Sequence, residues 1–540
     1  MKGEYVMENK EPLVAQQNEE AVETPTPRSY TVVETVFAWL SLLAGYAFFQ
    51  SAPVGEHPFG GLLFVLCLYG VTVVFLQRCG IRLRGMALVA ALSAVMLSLS
   101  LVLCANTTIH QAAYTYALVS YLYMVYAATG NALKTGFSNL VAADFFRALF
   151  VLPFASFGAI FRALVAHGGK KSGKIFLKAL LGVGIALVPT VIVCGLLSYD
   201  SDFVQLMNRL LDWDMNIFVH IGNFLLGIPV GMYLFGAYVS AVDRRAADVI
   251  TKEDCDNTWK SLKILPTVTS LAALLPILLV YVLFFVSQWD YYVACFVGRL
   301  SNETVYSDYA REGFFQLCTV SVINFVILAA VSLFTVRKGE RPCLIQRILT
   351  VFLSVETLVL ISTAMAKMAM YIRWYGLTPK RVYASWLMAV LAVVFLLIIL
   401  HQCLHKIKLI PLAVSAFVVL FAVLAFSNVD AFIARYNVAR YLDGSLETVD
   451  VSAMEDLGDS AIPSMVRLIK VLDEEEGRNI AEFSFDIYED INLDSDVFGL
   501  YEKTAVYLYD QADEMRTDLF SLTVPRERAI AAFREIGILE

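Results

Sequence analysis

The sequence predicts an all-α polytopic membrane protein, with about eleven transmembrane helices, one interfacial or re-entrant segment and a small, mainly helical soluble region at the C-terminal end. Three observations lead there. About eleven stretches of some twenty mostly apolar residues lie between Thr31 and Ser427, the length needed to cross a hydrocarbon core about 30 Å thick. Aliphatic and aromatic residues make up 58% of the chain and charged ones only 17%, a composition that excludes a large globular domain. Charge is also divided unevenly. Residues 428–540 hold 25 Asp and Glu against 10 Lys and Arg, whereas residues 1–427 hold 24 against 31.

Residues 1–30 carry six glutamates and a Thr24-Pro25-Thr26-Pro27 stretch, with neither apolar periodicity nor a cleavable signal pattern, and are expected to form a disordered acidic tail. The bundle is expected over 31–427, with spans at 32–50, 58–77, 86–104, 109–128, 176–198, 217–241, 264–286, 314–336, 346–370, 382–402 and 409–427. Residues 144–165 are apolar too, but only fourteen residues separate Arg147 from Arg162, too few to cross as a helix, so this segment is expected to lie in the interface or to re-enter. Basic clusters at Arg78/Arg82/Arg84, Lys170/Lys171/Lys174, Arg244/Arg245/Lys252, Arg337/Lys338/Arg341 and Lys406/Lys408 fall on alternate connections. Lys and Arg stay on the cytoplasmic side, so the N-terminus is expected inside and the C-terminal region outside the cytoplasmic membrane. Trp289, Tyr291, Tyr292, Trp374, Tyr375 and Trp386 fit an outer aromatic belt.

Beyond the last span, helical apolar spacing recurs in 429–442, 461–472, 501–515 and 525–538, and Pro525 suits a first turn. The run Asp490, Asn492, Asp494, Asp496 has the look of a calcium loop, yet Ser495 replaces its glycine and Tyr501 its closing glutamate, so a solvated acidic turn is the expectation. The nine cysteines have no CxxC-type spacing and read as small buried hydrophobes, with no metal site expected. His is scarce, with six in the chain, and no HExxH, GxSxG or phosphate-cradling glycine loop occurs, so no cofactor is expected and the catalytic residues of any enzyme stay unknown. The acidic C-terminal region excludes nucleic acid as a partner, leaving the lipid bilayer and an unidentified small solute or envelope partner.

A few polar residues are costly where they stand. Glu356 lies near mid-membrane, at a cost of roughly 2.5 to 3.5 kcal/mol on insertion scales. Thr363 and Lys367 follow at near-whole helical turns, so all three share one face that should look into the bundle. Glu356 and Lys367 are about 16 Å apart along the axis, too far to pair. Glu356 therefore needs a proton, a water-filled cavity or a group from another helix, Asn324, His220 and Asn223 being the candidates. It is either an interhelical hydrogen-bond contact or part of an ion or proton pathway. Pro189, Pro229, Pro266 and Pro276, with Gly227 and Gly231, are expected to interrupt several spans, as cavity linings or lipid-packed kinks. Tyr116, Ser120 and Tyr123 form a stripe expected to pack.

Three short blocks share a compartment once the spans are drawn. Tyr309-Ala310-Arg311-Glu312-Gly313-Phe314-Phe315-Gln316-Leu317 enters the eighth span, Arg373-Trp374-Tyr375-Gly376-Leu377-Thr378-Pro379-Lys380-Arg381 forms the next outer loop, and Asn428-Val429-Asp430 with Ala434-Arg435-Tyr436-Asn437 leaves the last span. Followed by Ser460-Ala461-Ile462-Pro463, these blocks resemble the bacterial membrane family known as domain of unknown function 4173, related to 4153. The likeness is strong over the second half of the chain and rests on the pattern of spans over the first. It implies bacterial origin and this architecture, and no activity. Arg311, Glu312, Arg373, Arg381, Asp430, Arg435 and Asn437 are expected to form an outer polar cluster, either a site or a clamp of Arg-carboxylate pairs that docks the C-terminal region. The leading function class is a non-enzymatic transporter, sensor or envelope-assembly factor. The other is a membrane-embedded transferase on a lipid-linked substrate, with Glu312 or Asp430 as base and the arginines holding a phosphate.

Overall fold

A computed structural model describes residues 28–51, 57–134, 136, 140–167, 216–244, 252–287, 306–336, 343–404, 407–483, 499–513, 515 and 521–539, with five isolated positions between 182 and 197. Up to Phe426 its helices are α1 (Val32–Ser51), α2 (Pro58–Arg78), α3 (Met86–Leu103), α4 (Thr107–Ala128), a bent pair α5 (Val141–Phe146) and α6 (Ala159–Val165), then α7 (Asn216–Val242), the short polar α8 (Lys252–Ser261), α9 (Thr267–Ser287), α10 (Tyr306–Phe334), α11 (Leu344–Tyr375), α12 (Pro379–Cys403) and α13 (Leu409–Phe426). The C-terminal region holds α14 (Val429–Leu442), α15 (Ile462–Glu476), α16 (Leu500–Asp513) and α17 (Val524–Glu535). No strand occurs among the described residues, and nine helices are long and apolar enough to cross a membrane. The chain is an all-α polytopic membrane protein. Of the eleven expected spans, these nine match. The expected span at 176–198 lies almost wholly outside the described residues, as do residues 1–27 of the expected tail, the Lys170 and Arg337 clusters, Trp289 to Tyr292 and the run 490–496; the end of that tail, 28–30, is instead packed, with Tyr30 buried and Arg28 ion-paired.

The remaining expected span is α4, a 22-residue helix less apolar than the nine because it is rich in tyrosine. Its hydroxyls find partners inside the bundle: Tyr114 with Ser51 at 2.9 Å, Tyr116 with Ser93 at 2.8 Å and Tyr121 with Thr72 at 3.0 Å. Tyr123 of the expected packing stripe stacks on Phe145 at 4.5 Å. A helix enclosed by protein can carry polar groups that a lipid-facing one cannot.

The prolines and glycines expected to break spans do not break those described. α7 runs through Pro229 and α9 through Pro276, while Pro266 stands just ahead of α9. Gly227 and Gly231 are packing positions. A Cβ on Gly45 of α1 would fall 2.0 Å from the Gly227 carbonyl oxygen, and one on Gly231 would fall 2.8 Å from that of Ser41. Small residues at such a crossing let two backbones touch.

Residues 141–165 form a bent segment, Val141–Ser156 and Ala159–Val165 meeting at 47°, whose two ends lie at one end of the bundle. At its start Asp144 accepts from the Tyr126 hydroxyl (2.8 Å) and the Leu133 amide (2.9 Å), near the end of α4. At its close the Ala163 carbonyl accepts from Thr35 Oγ1 (3.0 Å) at the start of α1. Arg28, which pairs with Glu34 of α1 and at 2.7 Å with Asp243, brings the end of α7 to that same level, where Asn131 donates to the Ala241 carbonyl at 2.9 Å. Its middle packs on Gly236 and Tyr233 of α7, the latter donating to the Leu149 carbonyl at 2.7 Å. Tyr233 lies about 13 Å up the helix from Val242, so the middle of the segment lies part way into the bundle.

At the opposite end the C-terminal helices share one apolar core with the bundle. Ile433, Met454, Ile462, Leu468, Leu508 and Phe533 join Leu97, Ile109, Leu377 and Leu424 in a single buried cluster. The expected helices 429–442, 461–472, 501–515 and 525–538 appear as α14 to α17. Pro463 and Pro525 sit in first turns, and Gly477 closes α15 at φ 66°.

Candidate functional site

The intramembrane stripe lies on α11, a 32-residue helix, and all three of its members are buried. Thr363 donates back to the Val359 carbonyl at 2.9 Å, as hydroxyls in apolar helices commonly do. Glu356 is 6% exposed, and neither carboxyl oxygen has a hydrogen-bond partner among the described residues. It borders an open apolar groove of about 570 Å³ with Val282, Phe285, Val286, Phe352, Val355 and Val359, most of which are exposed. Asn324 comes closest of the three expected partners, but it is already engaged: it donates to Thr357 at 3.0 Å and accepts from the Tyr281 hydroxyl at 2.7 Å. Thr357 in turn donates to the Leu353 carbonyl at 2.7 Å, so this chain closes on itself and leaves Glu356 out. The other two expected partners are elsewhere, His220 on Tyr46 at 3.0 Å and Asn223 on Gln50 at 3.1 Å.

Lys367 occupies the space that a side chain at position 313 would take, its Nζ lying 2.5 Å from where a Gly313 Cβ would stand. The stripe therefore meets the Arg311-Glu312-Gly313 block. Arg311 and Glu312 are helical residues of α10 whose side chains lie outside the described set.

The remaining members of the expected outer cluster divide between two places. Asp430 and Asn437, seven residues apart, share the buried face of α14. Both oxygens of Asp430 accept from Asn106 Nδ2, at 2.9 and 2.8 Å, while Asn106 Oδ1 caps α4 by accepting from the Ile109 amide at 2.9 Å. At 2% exposure, burial pushes the Asp430 carboxyl up to about 6 against the pull of the Asn106 hydrogen bond. Asn437 brackets Leu377, accepting from its amide at 2.7 Å and donating to its carbonyl at 2.9 Å. Gly376 precedes it at φ 71°, and a Cβ there would fall 2.6 Å from Asn437 Oδ1. Arg381 closes α11 by donating to the carbonyls of Tyr375 (2.8 Å) and Gly376 (2.5 Å), with its guanidinium 4.2 Å over the Tyr371 ring.

The C-terminal region is thus held through amides. Asp430 meets Asn106 rather than an arginine, and a neutral donor suits so dry a position. Arg373 is exposed in the last turn of α11, and Arg435 points off the other side of α14 into a separate pocket. Sequence reasoning passed over Asn106, whose signal is its place just before an apolar run, and Arg440, which reaches the Ile372 carbonyl at 3.3 Å. It also passed over the buried group in the bent 141–165 segment in which Arg147 donates to the Tyr126 hydroxyl at 2.8 Å beside Asp144. Among the described residues no group of His, Cys, Asp and Glu could hold a metal ion.

No curated protein and no solved structure matches this sequence. The model of the family described as Domain of unknown function (DUF4153) matches residues 87–468, more than half of the chain and a stretch that contains α11 and the junction of Asn106, Asp430 and Asn437; the chain belongs to this family.

Proposed function

We propose that this is a non-enzymatic transporter of a small solute in the cytoplasmic membrane, with Glu356 as the group that takes up and releases a proton or cation. The observation that carries this reading is the carboxyl of Glu356, buried and without a hydrogen bond among the described residues, on a helix bordering an open apolar groove of about 570 Å³. A purely interhelical contact needs a partner, and the Tyr281–Asn324–Thr357 chain satisfies itself instead. A carboxyl at such depth is costly unless it changes protonation or ligation as part of its work.

In this reading residues 31–427 form the transport bundle and residues 428–540 an extracytoplasmic cap, with the N-terminus inside. The narrower kinship with family 4173, resting on the blocks at 309–317, 373–381 and 428–437, belongs to the same reading. A sensor or assembly role would use the cap as the ligand-facing part. A transferase with Asp430 as base has less support, because that carboxyl is 2% exposed and held on both oxygens by Asn106. The test is Glu356→Gln in reconstituted protein, which keeps shape and removes titration. Infrared difference spectra between acid and alkaline buffer should lose a carboxyl band that the parent protein has, with helical content unchanged. A variant that retains the band, or stays fully active in cells, sinks the transport role of Glu356.

A further inference from the structure

A second pocket, of about 300 Å³, lies where the last membrane helix emerges. Ser427, which closes α13, forms one side of it, and Arg435 and Arg528 line it together with Asn428, Asp459 and Ser464. Asp459 is engaged by Arg526 at 2.9 Å, whereas neither Arg435 nor Arg528 has a carboxylate partner among the described residues. Two lining arginines against one aspartate, itself paired with Arg526, is a reversal in a region that carries 25 acidic residues and 10 basic ones. The backbone adds to it. The first turns of α14, α15 and α17 all border this pocket, and the residues preceding α14 and α15, Asn428 and Ala461, supply no side-chain cap. Free amides at such ends carry partial positive charge and accept anions.

We propose that this pocket binds the phosphate of an anionic phospholipid headgroup, gripped by Arg435 and Arg528 and approached by the Ser464 hydroxyl. Guanidinium forks match phosphate oxygens in pairs. A lipid, rather than a soluble phosphate, is favoured by position: Phe426 and Phe432 are both exposed beside the pocket, and Val423 and Val419 continue an exposed apolar strip down α13 on which acyl chains can lie. This assignment is independent of Glu356.

The test uses the full chain in neutral detergent at low salt, following its unfolding midpoint with added phosphatidylglycerol, phosphatidylcholine or inorganic phosphate. Phosphatidylglycerol should raise the midpoint more than either of the others. The double variant Arg435→Gln/Arg528→Gln should lose that rise, Arg435→Lys/Arg528→Lys should keep part of it, and Arg467→Gln, outside the pocket, should keep all of it. Retention of part of the rise by the lysine pair separates lost charge from lost folding. Equal rises in the parent and the glutamine pair overturn the site. A rise from inorganic phosphate that matches the one from phosphatidylglycerol overturns the lipid as its occupant.

Discussion

Asp430 is the residue whose chemistry most directly links the C-terminal region to the bundle. Its carboxyl is pushed up to about 6, against an ordinary value of 3.8, by burial. Tyr383 and Cys104 face it from α12 and from the loop ahead of α4, and Asn106 is its hydrogen-bond donor. Because the folded form holds its proton more tightly than the unfolded one, Asp430 favours folding below pH 4. That advantage is lost as pH rises from about 4 to about 6, and roughly 3 kcal/mol is involved. Asp430→Asn removes the buried charge. The stability of the variant relative to the parent should therefore increase between pH 4 and pH 7 in denaturant unfolding, and a difference that does not change with pH would rule the account out. Glu356 could be singled out from sequence because one carboxylate among apolar neighbours announces its cost. Asn106 could not, since its partner is 324 residues away and an asparagine before a helix has an ordinary capping role.

At the scale of elements, hydrophobic runs placed the spans within a few residues because length and apolarity decide whether a helix can sit in lipid. Contacts between helices were not readable in the same way. Gly227 and Gly231 suggest a break when α7 is read alone, and only the approach of α1 turns them into a packing face. Gly45→Ala should therefore be costly, since its methyl would stand 2.0 Å from a carbonyl oxygen that belongs to a rigid helix. A loss of about 3 kcal/mol or more is expected. Gly70→Ala, with nothing within 4 Å of the new methyl, should be neutral or slightly stabilising in the same denaturation series. Comparable losses at both positions would contradict the close crossing. The bent segment at 141–165 follows similar logic: the short distance between Arg147 and Arg162 argues against a straight crossing, while the burial of Arg147 against Tyr126 and Asp144 became apparent only with α4 in place.

For the whole molecule, the alternation of basic loops and the three-dimensional contacts are independent sources that constrain each other. Contacts assign connections to ends without saying which end faces the cytoplasm. Asn106, Leu377 and Asp430 meet at one end, and Arg28, Asn131, Ala163 and Asp243 cluster at the other. Charge bias supplies the missing sign, because Lys and Arg near span ends are retained inside. Arg78, Arg82, Arg84 and Arg244 all belong to connections at the Arg28 end, where the Cys79 thiol meets the Tyr238 hydroxyl at 3.2 Å. Reporter fusions at 78–85, 166–175 and 337–347 should accordingly be active as cytoplasmic fluorescent protein, and fusions after 428 as exported alkaline phosphatase. Residues after 428 found on the cytoplasmic side would invert every loop together, place the densest basic connections outside and move the Arg435 pocket to the inner leaflet.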